Sequence, residues 1–275
     1  MSTPPAITVR WTIGNVSDEG FEALRLSVWG ATKAFGLAAT YVICINSMPL
    51  DGARERAGAL PGAVEWLDVS NAMWPDLRRH VSPDMAEGVA WKFAPLRLDS
   101  ARYELALDND CILWSLPRAV SDAVRDRDAC VIAEDVRPCF GQFAARCGSE
   151  PRNSGIRGIP ASFDFGRAIL DVLEEQPVTL RSELDEQGLQ VAAMMRHGAV
   201  NVVPVSDVSI CSPFPPHLPH LGKCGAHFVG LNARSLPWDL NDVPASDLTR
   251  AHWRTHRAAL YDRVGLTLPD EGPHP

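Results

Sequence analysis

Residues 40–46 read Thr-Tyr-Val-Ile-Cys-Ile-Asn, a continuous apolar run of strand length with no alternation of polar and apolar positions. A strand with one wet face alternates; one that is apolar on both faces must be covered from both sides, as parallel strands beneath helices are. Residues 129–133 (Ala-Cys-Val-Ile-Ala) form a second such run. Further strands are expected at residues 6–11, 63–69, 103–107 and 199–205, where Pro204 places the end of the last at an edge or exit. Helical stretches separate them. Ser17 and Asp18 offer N-cap chemistry to a helix over about 19–35, and a charged helix should follow Leu116-Pro117 as far as residue 127. Residues 163–175, 183–197 and 250–263 carry helical patterns, and residues 88–100 read as helical despite Pro95. Residues 212–221 are proline-rich and irregular, and the tail from 271 is expected to fray. No internal repeat is present. The alternation predicts one α/β domain with a Rossmann-like, mostly parallel central sheet, helices on both faces and a loop-rich C-terminal third.

Composition narrows the function classes. The 275 residues are 46% apolar and 22% charged, which excludes disorder over most of the chain and provides a sizeable core without staples. The longest nearly apolar stretch, residues 35–45, is half of the roughly 20 residues that a membrane-spanning helix needs. A net charge of −8 with no run of basic residues long enough to form a basic patch argues against nucleic acid and anionic lipid as partners. The first ten residues lack the charged and apolar regions of a secretory signal, and the seven scattered cysteines suit a reducing compartment, so a cytoplasmic protein is expected. The glycine patterns of dinucleotide and P-loop sites are missing, as is the Gly-x-Ser-x-Gly of a hydrolase elbow.

The feature richest in chemistry is Leu105-Ala106-Leu107-Asp108-Asn109-Asp110-Cys111-Ile112-Leu113. Asp-x-Asp alone is weak, and the chain holds another, Asp126-Arg127-Asp128, at a charged helix end where solvated carboxylates are ordinary. The first pair interrupts two apolar runs. On an extended backbone its carboxylates at i and i+2 point the same way, an arrangement that costs energy unless a cation neutralises it. A hard divalent metal would do so, and a tight Asp/Asn turn is the other reading of the same residues.

The order of short motifs along the chain then carries a resemblance. Lys92-x-x-Pro95-x-Arg97 is followed by Leu-Ala-Leu-Asp-Asn-Asp-Cys-Ile-Leu, then by Asn153-Ser154-Gly155-Ile156-x-Gly158, Asp185-Glu186-Gln187 and His227-Phe228-x-Gly230. This resembles the metal-dependent nucleotide-sugar glycosyltransferases of the GT-A fold, in particular the retaining group of glycogenin and the bacterial lipopolysaccharide glucosyl- and galactosyltransferases. It spans roughly residues 6–238. The resemblance implies Asp108, Asp110 and His227 as ligands of Mn²⁺ or Mg²⁺. It also implies Lys92, Arg97, Asn109, Asn153, Ser154, Gly155 and Gly230 at the donor. One acidic residue of Asp185-Glu186, with Gln187, would stand beside the sugar.

Read as residues alone, His227 is equally a packed histidine, Asn153-Ser154-Gly155 a plain turn, and Asp185 with Glu186 helix N-terminal dipole chemistry. Where that family carries Lys before Pro-Trp, this chain has Leu236 before Pro237-Trp238, with Arg234 the nearest cation. The implied protein is a hexosyltransferase using a UDP-linked or similar nucleoside-diphosphate sugar and an unknown acceptor, with retention of configuration. Residues 6–115 would form its nucleotide half and 129–263 its sugar and acceptor half. A sugar-phosphate nucleotidyltransferase should instead carry a basic Gly-rich loop after the first strand, where Thr12-Ile13-Gly14-Asn15 stands. A nucleotide-sugar-binding protein without turnover is the non-enzyme alternative. Two other groupings read as decoys. Cys211, His217, His220 and Cys224 fit no standard zinc spacing, and His252 and His256 on one helix face lack a zincin's glutamate.

Overall fold

The computed structural model describes residues 7–82, 85 and 90–269. The chain opens with β1 (Ile7–Ile13) and α1 (Asp18–Phe35). The Ser17 hydroxyl accepts from the Gly20 N–H at 3.0 Å and donates to the Leu231 carbonyl at 2.6 Å, so the cap also anchors a distant loop. β2 (Ala39–Ile45), α2 (Leu50–Ala57), β3 (Val64–Asp68) and the single turn α3 (Pro75–Arg78) follow. Next come β4 (Tyr103–Leu107), β5 (Cys111–Leu113), α4 (Arg118–Asp126), β6 (Cys130–Glu134) and the short α5 (Ala144–Cys147). β7 (Arg152–Ile159), α6 (Phe165–Glu175), α7 (Glu183–Met195) and β8 (Val200–Val203) complete the main layers. Then β9 (Val208–Ile210), β10 (Gly225–His227), the hairpin of β11 (Asp239–Leu240) and β12 (Val243–Pro244), and α8 (Ala245–Val264) fold against them.

Seven strands form the main sheet in the order β3-β2-β1-β4-β7-β6-β8. Neighbours are parallel except β7, which runs antiparallel to both β4 and β6. The central strands are buried on both faces, as their apolar runs require, while the edge strands β3 and β8 are partly exposed. On β6, Val131 and Ala133 pack with Trp11, Leu24 and Leu105, while Cys130 and Ile132 join Phe143, Ile169 and Leu189 on the other side. Each fully buried large side chain contributes roughly 1.5–3 kcal/mol relative to exposure, so this two-sided burial dominates stability. A small sheet, β5-β10-β9, leans on α1 and α8. The chain order reverses between β1, which continues through β2 to β3, and β4 on its other side. At such a switch point the connections diverge and leave a crevice beyond the strands' carboxyl ends.

The structure departs from the sequence reading at identifiable places. Residues 88 and 89 lie outside the described set, Ala90–Phe93 makes one 3₁₀ turn, and the chain from 94 to 100 is irregular rather than helical. Pro95 has no N–H to continue a helix, and Arg97 directs its guanidinium to the carbonyls of Pro160, Phe163 and Arg102 at 3.0, 3.2 and 2.6 Å. α8 begins at Ala245, five residues before the expected start, with Pro244 at its N-cap position. Pro204 does follow an edge strand, β8.

Candidate functional site

Asp108 follows the last residue of β4, at the switch-point crevice. Its N–H donates to the Gly155 carbonyl at 2.9 Å and its carbonyl accepts from the Cys111 N–H at 2.9 Å. The backbone therefore makes the expected tight turn, and the two aspartate side chains are left over for other work. Asn109 faces away, donating to the Gly20 carbonyl at 3.0 Å and pairing with the Asn232 side chain, which ties the turn to the start of α1. Asn232 also donates to Asp110 Oδ2 at 3.0 Å.

The Phe228 N–H donates to the Asp110 carbonyl at 2.9 Å, and β10 pairs with β5 so that His227 lies opposite Cys111. This brings His227 Nε2 to 3.3 Å from Asp110 Oδ1 and 3.5 Å from Asp108 Oδ2. Burial pushes the His227 imidazole down, yet the Asp110 and Asp108 carboxylates outweigh it and hold the ring above the ordinary histidine range. The cluster therefore attracts positive charge. Asp110 Oδ1 is buried and accepts no hydrogen bond, a cost that a coordinated cation would remove. Two carboxylates and an imidazole form a hard-to-borderline donor set that suits Mn²⁺ well and Mg²⁺ less well.

Beside the cluster, Lys92 Nζ donates to Asp108 Oδ2 at 2.8 Å and to Ser154 Oγ at 3.2 Å, and stands 3.6 Å from Glu186 Oε2. Burial opposes the Lys92 charge, but Asp108 and Glu186 overcome it and hold the ammonium above its usual range. Glu186 is 2% exposed, and burial pushes its carboxyl up to about 7, with Lys92 opposing the shift; its Oε1 accepts no hydrogen bond. An acid that titrates near neutrality beside a lysine is the kind of pairing found where protons are handled.

Beneath the pair is a cavity of about 10 Å³, room for one water, lined by Arg10, Thr12, Lys92, Asp108, Ser154 and Arg157. Arg10 and Arg157 lie level with each other, both in register with Ala106 of β4. Arg10 pairs with Glu104 at 3.3 Å, and both residues are 1% exposed. Arg157 packs over the Phe165 ring and has two buried nitrogens without hydrogen-bond partners; burial, reinforced by Arg10, pushes its guanidinium down to about 10. Sequence reasoning passed over Arg10, a single charge inside a strand-like run, and over Arg157, whose segment reads as a turn. For Arg10 the usable signal was its place in an otherwise apolar strand; for Arg157 there was none.

The other expected residues divide into two groups. Asn153, Ser154 and Gly155 belong to β7 and not to a simple turn. The register with β6 jumps between Ile132, opposite Arg157, and Ala133, opposite Asn153, so residues 154–156 bulge free of that partner. Side chains hold the bulge: Ser154 N–H donates to Gln187 Oε1 at 3.1 Å and Gly155 N–H to Asn153 Oδ1 at 2.8 Å. A Cβ at Gly155 would stand 2.3 Å from the His227 ring, so only glycine admits His227 here. These residues, with Lys92 and Glu186, do gather around Asp108 and His227.

Four others do not. Asp185 accepts from the Gln142 and Arg181 N–H groups at 2.9 and 2.8 Å; burial alone would raise its carboxyl, but these bonds hold it low, in a structural clasp. Arg97 is the carbonyl clamp described above and lines a separate groove with Trp74 and Phe163. Asn109 faces α1, and Gly230 occupies a left-handed turn at φ +85°. Arg234 reaches Asn15 beyond the end of β1.

No family profile matches the sequence, and no curated protein matches it. Solved structures do. An active-site mutant of LgtC superposes with a TM-score of 0.58 at 12% identity over 96% of this chain and 98% of that one. The galactosyltransferase LgtC in complex with donor and acceptor sugar analogs gives 0.53 at 13% identity over the same shares. The bifunctional glycosyltransferase WbbM gives 0.52 at 13% identity over 95% of this chain and 52% of that one. The protein therefore has the GT-A fold in which these glycosyltransferases are built.

Proposed function

We propose that the protein is a divalent-metal-dependent glycosyltransferase that takes a hexosyl group from a UDP-linked donor and passes it to an acceptor hydroxyl with retention of configuration. The observation that carries this reading is the convergence of Asp108, Asp110 and His227, with the buried Asp110 Oδ1 facing the imidazole without a hydrogen bond, beside the Lys92–Glu186 pair in the switch-point crevice. Mn²⁺ or Mg²⁺ held by those three residues would screen the diphosphate's charge as the sugar–phosphate bond weakens.

The chain's own groups supply the rest. Lys92 carries a persistent positive charge that can turn from Asp108 toward a phosphate or sugar oxygen, and Ser154 fixes where its ammonium starts. Glu186 can accept a hydrogen bond from a sugar hydroxyl as a carboxylate or donate one as an acid, and an acid pushed up to about 7 has both forms available near pH 7. Gln187 and Asn153 are positioning residues that hold the bulged wall of the sugar pocket. Asn153 is itself held by Asp135, whose Oδ2 accepts from Asn153 Nδ2 at 3.0 Å. Arg234, which donates to Asn15 beyond the end of β1, is the cation nearest in sequence to Leu236, where the family's lysine is missing.

Calorimetric titration of UDP, GDP and dTDP with Mn²⁺ and with EDTA tests the reading, on the wild type and on Asp110→Asn. Metal-dependent binding of UDP that Asp110→Asn abolishes is expected. Nucleotide binding indifferent to metal and to the substitution would sink the assignment, and metal-dependent binding without turnover over a panel of acceptors would leave a binding protein.

A further inference from the structure

A second cluster of metal-binding side chains stands apart from the crevice. Cys211, just past β9, meets His252 and His256, which are one turn apart on α8. Cys211 Sγ is 3.3 Å from His252 Nε2, the two imidazoles are 4.6 Å apart between centroids, and one donor atom from each of the three lies within 4.8 Å of the others. The decoy readings kept these residues in separate groups; folding takes one cysteine from the first and both histidines from the second.

We propose that Cys211, His252 and His256 bind Zn²⁺, with solvent at the fourth position. A tetrahedral zinc with one sulfur and one imidazole nitrogen sets those donors about 3.5 Å apart, close to the 3.3 Å between Cys211 Sγ and His252 Nε2, and the three donors, all within 4.8 Å of one another, would draw in around the ion. Thiolate and imidazole donors select zinc over the Mg²⁺ or Mn²⁺ suited to the aspartate cluster. His256 Nε2 lies 3.1 Å from the Pro219 carbonyl. A carbonyl can only accept, so that nitrogen carries the proton and Nδ1 keeps its lone pair for a ligand, the arrangement that orients metal-bound histidines. Binding converts the Cys211 thiol to a thiolate and releases its proton to solvent.

The site has a consequence for the crevice. The Cys211 N–H donates to the His227 carbonyl at 2.7 Å, and the Phe228 ring packs edge-on against Trp253 at 5.0 Å between centroids. Zinc bridging Cys211 to α8 would therefore brace the strand that presents His227. The proposal stands whether or not the transferase reading does, because its readout is metal ligation rather than turnover.

The test uses the full chain, stripped of metal and titrated anaerobically with Co²⁺ as a visible stand-in for zinc. The wild type and Asp110→Asn are expected to develop a thiolate-to-cobalt charge-transfer band at one equivalent, which Zn²⁺ displaces. Cys211→Ser should lose the band, and His256→Gln, a change at a half-buried position, should weaken cobalt binding at least tenfold while the circular dichroism stays native. Absence of the band in folded wild type at saturating Co²⁺ would overturn the proposal and leave a thiol–imidazole hydrogen bond. A band retained in Cys211→Ser would overturn it equally, by assigning the cobalt to another cysteine, and so would undiminished cobalt affinity in His256→Gln, by removing that histidine from the ligand set.

Discussion

Gly155→Ala tests the crevice with the smallest possible change. The added Cβ would lie 2.3 Å from His227 Cε1, 2.5 Å from Nδ1 and 2.8 Å from Asn153 Oδ1, whereas ordinary carbon contacts begin at 3.4 Å. Something must therefore move by about 1.1 Å. Movement of β7 is resisted, because the Gly155 carbonyl accepts the Asp108 N–H and its own N–H is bonded to Asn153. The His227 ring is the softer partner, and it can only retreat past Asp108 and Asp110. A displacement of this size at a ligand is expected to cost about 10–100-fold in Mn²⁺ affinity, which is about 1.4–2.8 kcal/mol. Mn²⁺ titration followed by the electron paramagnetic resonance of the free ion measures it directly, with a thermal melt to verify folding. In a His227→Ala background the conflict with the ring disappears and only the 2.8 Å approach to Asn153 Oδ1 remains, so the same glycine change should cost much less. A folded Gly155→Ala protein that binds Mn²⁺ as well as wild type, or one equally weakened with and without His227, would refute the argument.

Three further outcomes are expected. Glu22 accepts from Trp253, Arg257 and Tyr261 and locks α1 to α8, so Glu22→Ala should cost about 3–5 kcal/mol in urea unfolding by stranding buried partners. Burial would raise its carboxyl, but those bonds hold it below 4.5; its contribution is present above that pH and lost as pH falls through the lower native value, a limb that Glu22→Gln should erase from the stability–pH curve. Glu186 runs the opposite way: with its acid pushed up to about 7, the native state binds the extra proton between about 4.5 and 7, stability falls as pH rises through that window, and Glu186→Gln should flatten the slope. Lys92→Met removes the ammonium that occupies Asp108 Oδ2, so calorimetry should find Mn²⁺ bound no more weakly than in wild type while UDP-sugar affinity falls at least tenfold.

The main sheet was legible wherever burial on both faces left an uninterrupted apolar run, as at β2 and β6. β7 was not, because Asn-Ser-Gly and an internal Arg157 carry the composition of a turn, and the strand is held by its neighbours rather than by its own propensity. Three-residue strands such as β5, β9 and β10 are too short for any periodicity to register. At the site, Asp108 and Asp110 stood out because they break an apolar run, while the spacing of Lys92 and Arg97 said nothing about which way an irregular segment turns each cation. Asn232 could not have been found, since it acts only through the contact of a distant loop with Asp110.

The bulge in β7 has a consequence of another kind. Amides pinned in a ladder are inherited with the whole sheet, but those of Ser154 and Gly155 are held by the side chains of Gln187 and Asn153. They should exchange with deuterium earlier than the amides of β4 beside them. A wall tethered by two replaceable side chains can be reshaped without disturbing the strands behind it. Under the proposed function, selection for a different sugar would act first at positions 153 and 187, whose side chains hold this wall without taking part in the ladder.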